Sequence, residues 1–257
     1  MKMKLTCGYL FPLLLIFCQS ANAADKPSSG QFTQPQGLTY GIGLAVKREI
    51  YKGYDQRFIP LPLVGYRGEK LSIVGPFISY QVYQNSNWRL SALISPRFEG
   101  FDESDSDYFK GMEDREFSMD AGLAINYKRE SWTFSSRFRA DALSRSNGIE
   151  TNFKIGKQYR YGPVAIEPNI ELTYLDDNNV DYYYGVRASE ATAERAFYQA
   201  ESALNKSLGL TISSPLWGGF IRGNINNTWY DTSITDSPLT ERDTSLGIMI
   251  SYSSFFK

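Results

Sequence analysis

The residues of this sequence that could do chemistry are carboxylates. Six acidic side chains crowd one connection, and carboxylates can act as general acids, general bases or ligands for divalent metal ions. These residues are Asp102, Glu103, Asp105, Asp107, Glu113 and Asp114. Their spacing does not match a calcium-binding loop, in which a glycine and a bidentate glutamate hold fixed positions. A run of charge is usually solvated, so we predict an acidic loop, with ion binding and carboxylate catalysis as the alternatives.

Histidine and cysteine usage narrows the enzyme classes that remain. The sequence has no histidine, which removes histidine-dependent hydrolase and acyltransferase mechanisms and the commonest metal ligand. The two cysteines, Cys7 and Cys18, lie in a segment that we expect to be cleaved, so the mature chain has no disulfide and no thiolate nucleophile. The formal net charge is -1, and no basic cluster suggests nucleic acid as a partner. We expect neither enzyme activity nor a cofactor.

The first residues have the three parts of a secretory signal peptide. Two lysines precede a short apolar run, and the small residues Ala21 and Ala23 suit a cleavage site. We therefore expect a signal peptide over residues 1–23. The apolar run is too short for a membrane helix. Lipoprotein processing at Cys18 is the alternative, but two large residues stand before it, where that processing expects small ones.

The last stretch of the sequence alternates with a period of two. From Thr244 to Phe256 the even-numbered residues are mostly apolar and the odd-numbered residues are small or polar, which is the pattern of a β-strand with one apolar face. The oily parity consists of Leu246, Ile248, Ile250, Tyr252 and Phe256, interrupted by Ser254. A soluble sheet can show the same alternation, so repetition along the chain must decide between a soluble and a membrane sheet.

The alternation recurs at a regular pace from residue 37 to residue 257. We predict strands over residues 38–46, 57–66, 71–82, 88–98, 117–127, 132–142, 149–159, 164–174, 182–186, 204–212, 217–229 and 244–256. Aromatic residues cluster at the strand ends, as an interfacial girdle requires. Strands in lipid must close into a ring, because each unpaired backbone group is costly there.

These observations predict an all-β fold, a transmembrane antiparallel up-and-down β-barrel of about 12 strands, with ten or fourteen left open. A flexible periplasmic leader over residues 24–36 precedes the barrel, which occupies residues 37–257. The predicted location is the outer membrane, in contact with its lipid and lipopolysaccharide.

Two features of this assignment are irregular. Strict alternation puts the tight turn at residues 129–131 outside the cell and the long acidic connection at 100–114 inside, the reverse of the usual pattern. At least one early strand is therefore expected to be misassigned. Pro60 and Pro62 share a parity, so both missing N–H donors fall on one seam, which we expect to be weak.

The face opposite the oily one carries acids and bases on neighbouring strands. Interleaved charges that point inward predict a lumen filled by ion pairs rather than a wide water channel. The alternative is a selectivity lining for a solute path. The predicted lumen residues are Arg89, Arg97, Glu116, Asp120, Arg137, Arg139 and Asp141.

Short motifs spread over the chain resemble one family, the MipA/OmpV outer-membrane proteins. The resemblance rests on their order and spacing more than on any one of them. The motifs are Tyr51-Lys52-Gly53-Tyr54-Asp55, Pro60-Leu61-Pro62, Tyr66-Arg67-Gly68-Glu69, Tyr183-Tyr184-Gly185-Val186, Ser237-Pro238-Leu239 and the glycine- and tyrosine-bearing last strand.

The resemblance implies a barrel without catalytic residues. The MipA branch is described as a scaffold that brings a lytic transglycosylase, MltA, together with a bifunctional penicillin-binding murein synthase. We therefore expect a non-enzymatic scaffold for murein synthesis and hydrolysis, with a small-solute pore or a surface adhesin as the alternatives. Candidate partner-binding residues are Tyr51, Tyr54, Asp55, Asp105, Asp107, Tyr183 and Tyr184. For the tyrosines the alternative role is packing in the girdle or between loops.

Overall fold

The computed structural model describes residues 36–256 of the chain. The predicted signal peptide and nearly all of the predicted leader lie outside these residues. Within residues 36–256 no helix has the length and hydropathy needed to span a bilayer. The secondary structure consists almost entirely of antiparallel strands.

Twelve strands in residues 36–256 form one closed antiparallel sheet. Each strand pairs with its neighbour in the sequence, and the last pairs with the first. They are β1 (Gly37–Arg48), β2 (Gln56–Pro62 and Gly65–Arg67), β3 (Leu71–Val74), β4 (Phe77–Gln84), β5 (Trp88–Arg97), β6 (Ser118–Arg129), β7 (Trp132–Asp141), β8 (Ile149–Lys157 and Tyr159–Tyr161), β9 (Val164–Leu175), β10 (Ala203–Leu216), β11 (Gly219–Trp229) and β12 (Thr244–Phe255). The predicted fold class is confirmed.

The seam between β1 and β12 closes the ring and has the predicted alternation. Leu44 lies opposite Ile250 in the register, and Ile42 lies opposite Tyr252. The outward side chains are exposed apolar groups, with Ile42 at 69% exposure, because they face lipid. Inward positions such as Thr39 are polar and buried. The apolar, even-numbered residues of the last strand therefore lie on the outer surface of the barrel.

Two predicted strands are wrong, and their errors cancel in the count. The segment 71–82 is two strands, because Gly75 has a φ of 56° and Pro76 has no N–H, so the chain turns back between β3 and β4. Residues 182–186 are not a strand. They comprise the last three residues of helix α1 (Asp177–Tyr184) and the two residues after it. The side chain of Asp176 caps the start of this helix by accepting the N–H of Asn179.

The extra early strand reverses the direction of the strands from β4 to β9 relative to the prediction. The long connections 49–55, 98–117, 142–148, 176–202 and 230–243 all lie at one end, the loop end. The short turns 68–70, 85–87, 130–131, 162–163 and 217–218 lie at the other, the turn end. Outer-membrane barrels keep short turns in the periplasm and long loops outside. The expected misassignment of an early strand is therefore confirmed, the acidic 100–114 segment lies at the loop end, and the irregular sidedness disappears.

The upper part of β2 has a free edge. Within residues 36–256, Gln56–Pro62 pairs with β1 alone, because the β3–β4 hairpin is short. Leu63 donates its N–H to Gly41 of β1 at 3.0 Å. Backbone groups alternate sides along a strand, so Pro60 and Pro62 face away from β1. The two missing N–H groups therefore lie on the free edge, where they prevent another strand from pairing.

The closing seam generates a test with a matched control. A Cβ added to Gly41 would lie 2.2 Å from the carbonyl oxygen of Tyr252, whereas one added to Gly223 would have nothing within 4 Å. Gly41→Ala should destabilise the barrel by about 1–3 kcal/mol, because the backbone of β1 or β12 must move. Gly223→Ala should not. The measurement is the temperature at which the folded band is lost on a detergent gel, and equal temperatures for the two variants would contradict this account of the seam.

Candidate functional site

The apolar core of the protein lies in its loops. Four connections, 49–55, 98–117, 176–202 and 230–243, pack together over the loop end, and we call them the cap. They contain α1, α2 (Thr232–Thr235) and three short 3-10 turns, Glu103–Asp105, Asp107–Phe109 and Ala188–Glu190. The principal buried apolar residues of the cap are Ile50, Tyr51, Phe101, Phe109, Met112, Val180, Tyr183, Tyr184, Val186, Ile234 and Leu239.

Tyr51 stands at the centre of the cap and joins three of its four connections. Its ring stacks on Tyr184 with centroids 5.4 Å apart and meets Phe101 edge-on at 5.2 Å. Its hydroxyl donates to the carbonyl of Tyr183 at 3.0 Å. The fourth connection joins at the next residue, because Lys52 donates its N–H to the carbonyl of Leu239 at 2.9 Å. The cap is thus a packed unit rather than a set of separate loops.

A buried ion pair fastens two connections of the cap. Arg115 donates to both carboxylate oxygens of Glu190, at 2.9 and 2.7 Å, and the two side chains are 1% and 3% exposed. Glu190 also accepts the N–H groups of Glu113 and Arg187, each at 3.1 Å. Burial alone would raise the pKa of Glu190, but these hydrogen bonds lower it to about 2. The sequence analysis missed this pair, since neither residue stands in a motif.

A second charged cluster lies in the lumen beneath the cap. Arg97 bridges two carboxylates, with Asp120 at 2.7 Å and Glu150 at 2.8 Å. Arg139 also pairs with both, at 3.6 Å to Asp120 and more closely to Glu150. The structure thus brings three of the predicted lumen residues together. Glu150, which completes the cluster, was not among them.

The remaining predicted lumen residues lie in two places. Arg89 and Arg137 line the lumen nearer the turn end. Glu116 pairs with Arg145 at the loop end, where both side chains are well exposed. Asp141 accepts the backbone N–H groups of the connection that follows it, including that of Ser146 at 2.7 Å. Glu116 and Asp141 therefore organise loop contacts.

The predicted partner-binding residues all lie at the loop end. Tyr51, Tyr183 and Tyr184 are buried, so their side chains offer no surface to a partner while the cap is closed, and they occupy the loop-packing role. Tyr54 is half-buried beside them. Asp55 pairs with Arg242 at 2.6 Å, Asp105 accepts the N–H of Asp102 at 2.9 Å, and Asp107 pairs with Lys110 at 2.8 Å. In residues 36–256 no group of three or more acidic side chains is arranged to hold a metal ion.

Among the cavities that residues 36–256 form in the lumen, two adjoin one another and share part of their lining. The upper chamber, of about 520 Å³, lies beneath the cap, and its lining includes Tyr183, Tyr184, Arg97, Arg139 and Glu150. The lower chamber, of about 370 Å³, lies nearer the turn end. Arg137, Lys154 and Arg222 line both. The lumen is therefore a polar, partly filled space that the cap covers at one end.

A closed antiparallel barrel with an apolar outer band, a charged lumen and long loops at one end is a barrel of the outer membrane. The family model described as MltA-interacting protein MipA matches residues 40–254, and this chain belongs to that family.

Similar proteins share most of the chain at low identity. The putative outer membrane protein YiaT of Escherichia coli (strain K12) is 28% identical over 81% of this chain and 86% of its own. The MltA-interacting protein of the same strain is 26% identical over 91% of this chain and 92% of its own. Outer membrane protein OmpV of Vibrio cholerae is 25% identical over 68% and 69%. The resemblance stated from the sequence motifs is confirmed.

The Arg97 cluster should stabilise the barrel far more than a surface ion pair does. Arg97→Gln leaves two buried carboxylates with only Arg139, which should cost about 3 kcal/mol. The control is Arg145→Gln, which breaks an exposed pair and should cost at most about 1 kcal/mol. Urea unfolding followed by tryptophan fluorescence measures both variants. A cost for Arg97→Gln no larger than that of the control would show that the cluster does not stabilise the fold.

Acid should loosen the cap through Glu190. Its pKa is lower in the folded cap than its usual 4.5, so its stabilising contribution is complete above pH 4.5 and is lost as the pH falls toward about 2. Pepsin cleavage within the cap should therefore accelerate across that window. Glu190→Gln should be cut readily already at the upper end of it, since the charge is gone. If the wild-type protein and Glu190→Gln give the same cleavage rates throughout, Glu190 does not hold the cap.

Proposed function

We propose that this protein is a closed, non-enzymatic scaffold of the outer membrane that holds partner proteins of the murein machinery. The observation that carries the proposal is the cap, because a packed apolar core and a buried ion pair cover one mouth of the lumen. An open solute channel would need that mouth free. The name of the matching family, MltA-interacting protein, supports a lytic transglycosylase as one partner. A penicillin-binding murein synthase is the second partner in this proposal.

The sidedness of the barrel favours the turn end as the partner site in this proposal. Murein and its enzymes lie in the periplasm, which the turn end faces. The segments favoured from the sequence, including 100–114, face the opposite side of the membrane. On the turn end, Trp217 is 86% exposed in the β10–β11 turn, and Tyr161 is 66% exposed at the preceding turn. Exposed aromatic side chains of this kind are the usual anchors of protein interfaces.

The backbone at Trp217 supports a role beyond packing. Its φ is 48°, in the left-handed region that a bulky side chain avoids. The two-residue turn between β10 and β11 requires a positive φ here, but such turns usually take Asn, Asp or Gly, so the turn itself does not call for a tryptophan. The alternative is that Trp217 anchors the barrel at the membrane interface, as tryptophan does in many membrane proteins.

A pull-down from envelope extract tests the scaffold and its orientation together. Trp217→Ser should reduce recovery of a murein hydrolase or synthase by about tenfold or more, as the loss of an interface anchor does. The matched control is Asp107→Ala, an exposed position at the loop end, which should leave recovery unchanged. The detergent-gel shift confirms that both variants are folded.

The opposite results distinguish the alternatives. Unchanged recovery with Trp217→Ser would remove the turn end as the partner site. If no envelope protein is retained and a planar bilayer shows steady conductance steps, the protein is a small-solute pore rather than a scaffold. The two polar chambers favour that alternative. A surface adhesin would instead lose cell binding when the exposed loop end is altered.

A further inference from the structure

We propose that the lower chamber binds a small, multiply charged oxyanion, with a phosphate-bearing solute as the chemistry that fits best. Five basic side chains line the chamber against one lining carboxylate, that of Glu167, and a second carboxylate, that of Glu171, lies opposite Lys154 in the β8–β9 register. The basic residues are Arg89, Lys128, Arg137, Lys154 and Arg222. They come from five strands, β5, β6, β7, β8 and β11, so they converge on one space from around the wall of the barrel.

The lower chamber contains Arg137, Lys154 and Arg222, which lack, within residues 36–256, the close carboxylate partners that Arg97 and Arg139 have in the upper chamber. Above it, Arg97 and Arg139 pair with Asp120 and Glu150. Among the described residues, the ion pairs within 4.0 Å include none made by Arg137, Lys154 or Arg222. Arg137 donates a hydrogen bond to a neutral group, the amide oxygen of Asn152, at 3.4 Å.

Like charges gathered in a space with a low dielectric repel one another, and an anion among them relieves that repulsion. Guanidinium groups add a geometric preference, because their forked N–H donors match the oxygens of phosphate and carboxylate. The surplus of several positive charges favours a multiply charged anion over a monocarboxylate. The volume of about 370 Å³ is in the range of small-solute sites.

The position of the chamber sets the direction of access. Lys128 is the last residue but one of β6, and Thr133 is the second residue of β7, so the lining reaches the turn-end rim. The cap covers the other end of the lumen. A ligand would therefore enter from the periplasm. The proposal does not depend on the scaffold role, because it concerns charges inside the barrel rather than its outer surface.

Titration of the purified protein with inorganic phosphate, by calorimetry in a non-ionic detergent, tests the site. The wild-type protein should bind phosphate saturably. Arg222→Gln and Lys154→Gln should each weaken binding by about tenfold, because each removes one unit charge from the chamber. Glu167→Gln should strengthen it severalfold, because it removes the opposing charge. Arg145→Gln, at the loop end, should leave the affinity unchanged.

These outcomes also separate binding from folding. The detergent-gel shift shows which variants are folded, and Glu167→Gln predicts a gain that misfolding cannot produce. Absence of phosphate binding by the wild-type protein would overturn the proposal. So would equal affinity of the wild-type protein and the folded Arg222→Gln and Lys154→Gln variants.

A second arm identifies the source of the phosphate. The protein is placed in phosphatidylcholine vesicles with or without phosphatidylglycerol, and the titration is repeated. Competition by phosphatidylglycerol would support the proposal with a lipid headgroup as the occupant. Binding unaffected by that lipid would support it with a free solute as the occupant.

Discussion

Every backbone polar group inside a bilayer must find its partner within the protein, because lipid offers none. In this chain the pairing of β1 with β12 meets that constraint, since it turns twelve marginal strands into a ring. Closure of the ring then determines where the side chains of the strands lie. Outward side chains become an apolar surface, and inward ones must share a narrow polar space. Where pairing stops, along the upper edge of β2, Pro60 and Pro62 remove the donors that would otherwise face an empty position.

The same constraint displaces the hydrophobic core. Apolar residues on the strands face lipid, so the packed apolar core forms in the cap instead, around Tyr51. The Arg97 cluster lies directly beneath this core and is nearly excluded from solvent. Breaking a buried pair of this kind is costly, because it leaves an uncompensated charge. The cap therefore lies on a layer of ion pairs, which explains why the upper lumen is charged although it adjoins an apolar core.

Periodicity made the strands predictable, and its limits explain the errors. A period of two is a local property, so β12 and its oily parity follow from the sequence alone. Gly75-Pro76 is a turn signal, but it stands inside an otherwise continuous alternating pattern, which therefore predicts one strand where there are two. The aromatic run at 182–186 imitated a strand, although Asp176 offered a helix cap just before it. The cap pair could not be predicted, because Arg115 and Glu190 are 75 residues apart and meet only when the loops pack.

The two ends of the barrel are unequal in a way that concentrates exchange on one side. The cap leaves the turn end as the face from which the lumen can be reached, and that face also carries Trp217 and Tyr161. A partner seated on these aromatic side chains would cover the rim where Lys128 lines the lower chamber. The proposed roles are then linked by thermodynamics. If the partner alters the affinity of the site for the anion, the bound anion must alter the affinity for the partner by the same factor. In that case the charged chamber inside the barrel and the apolar surface at its rim would be two coupled binding sites.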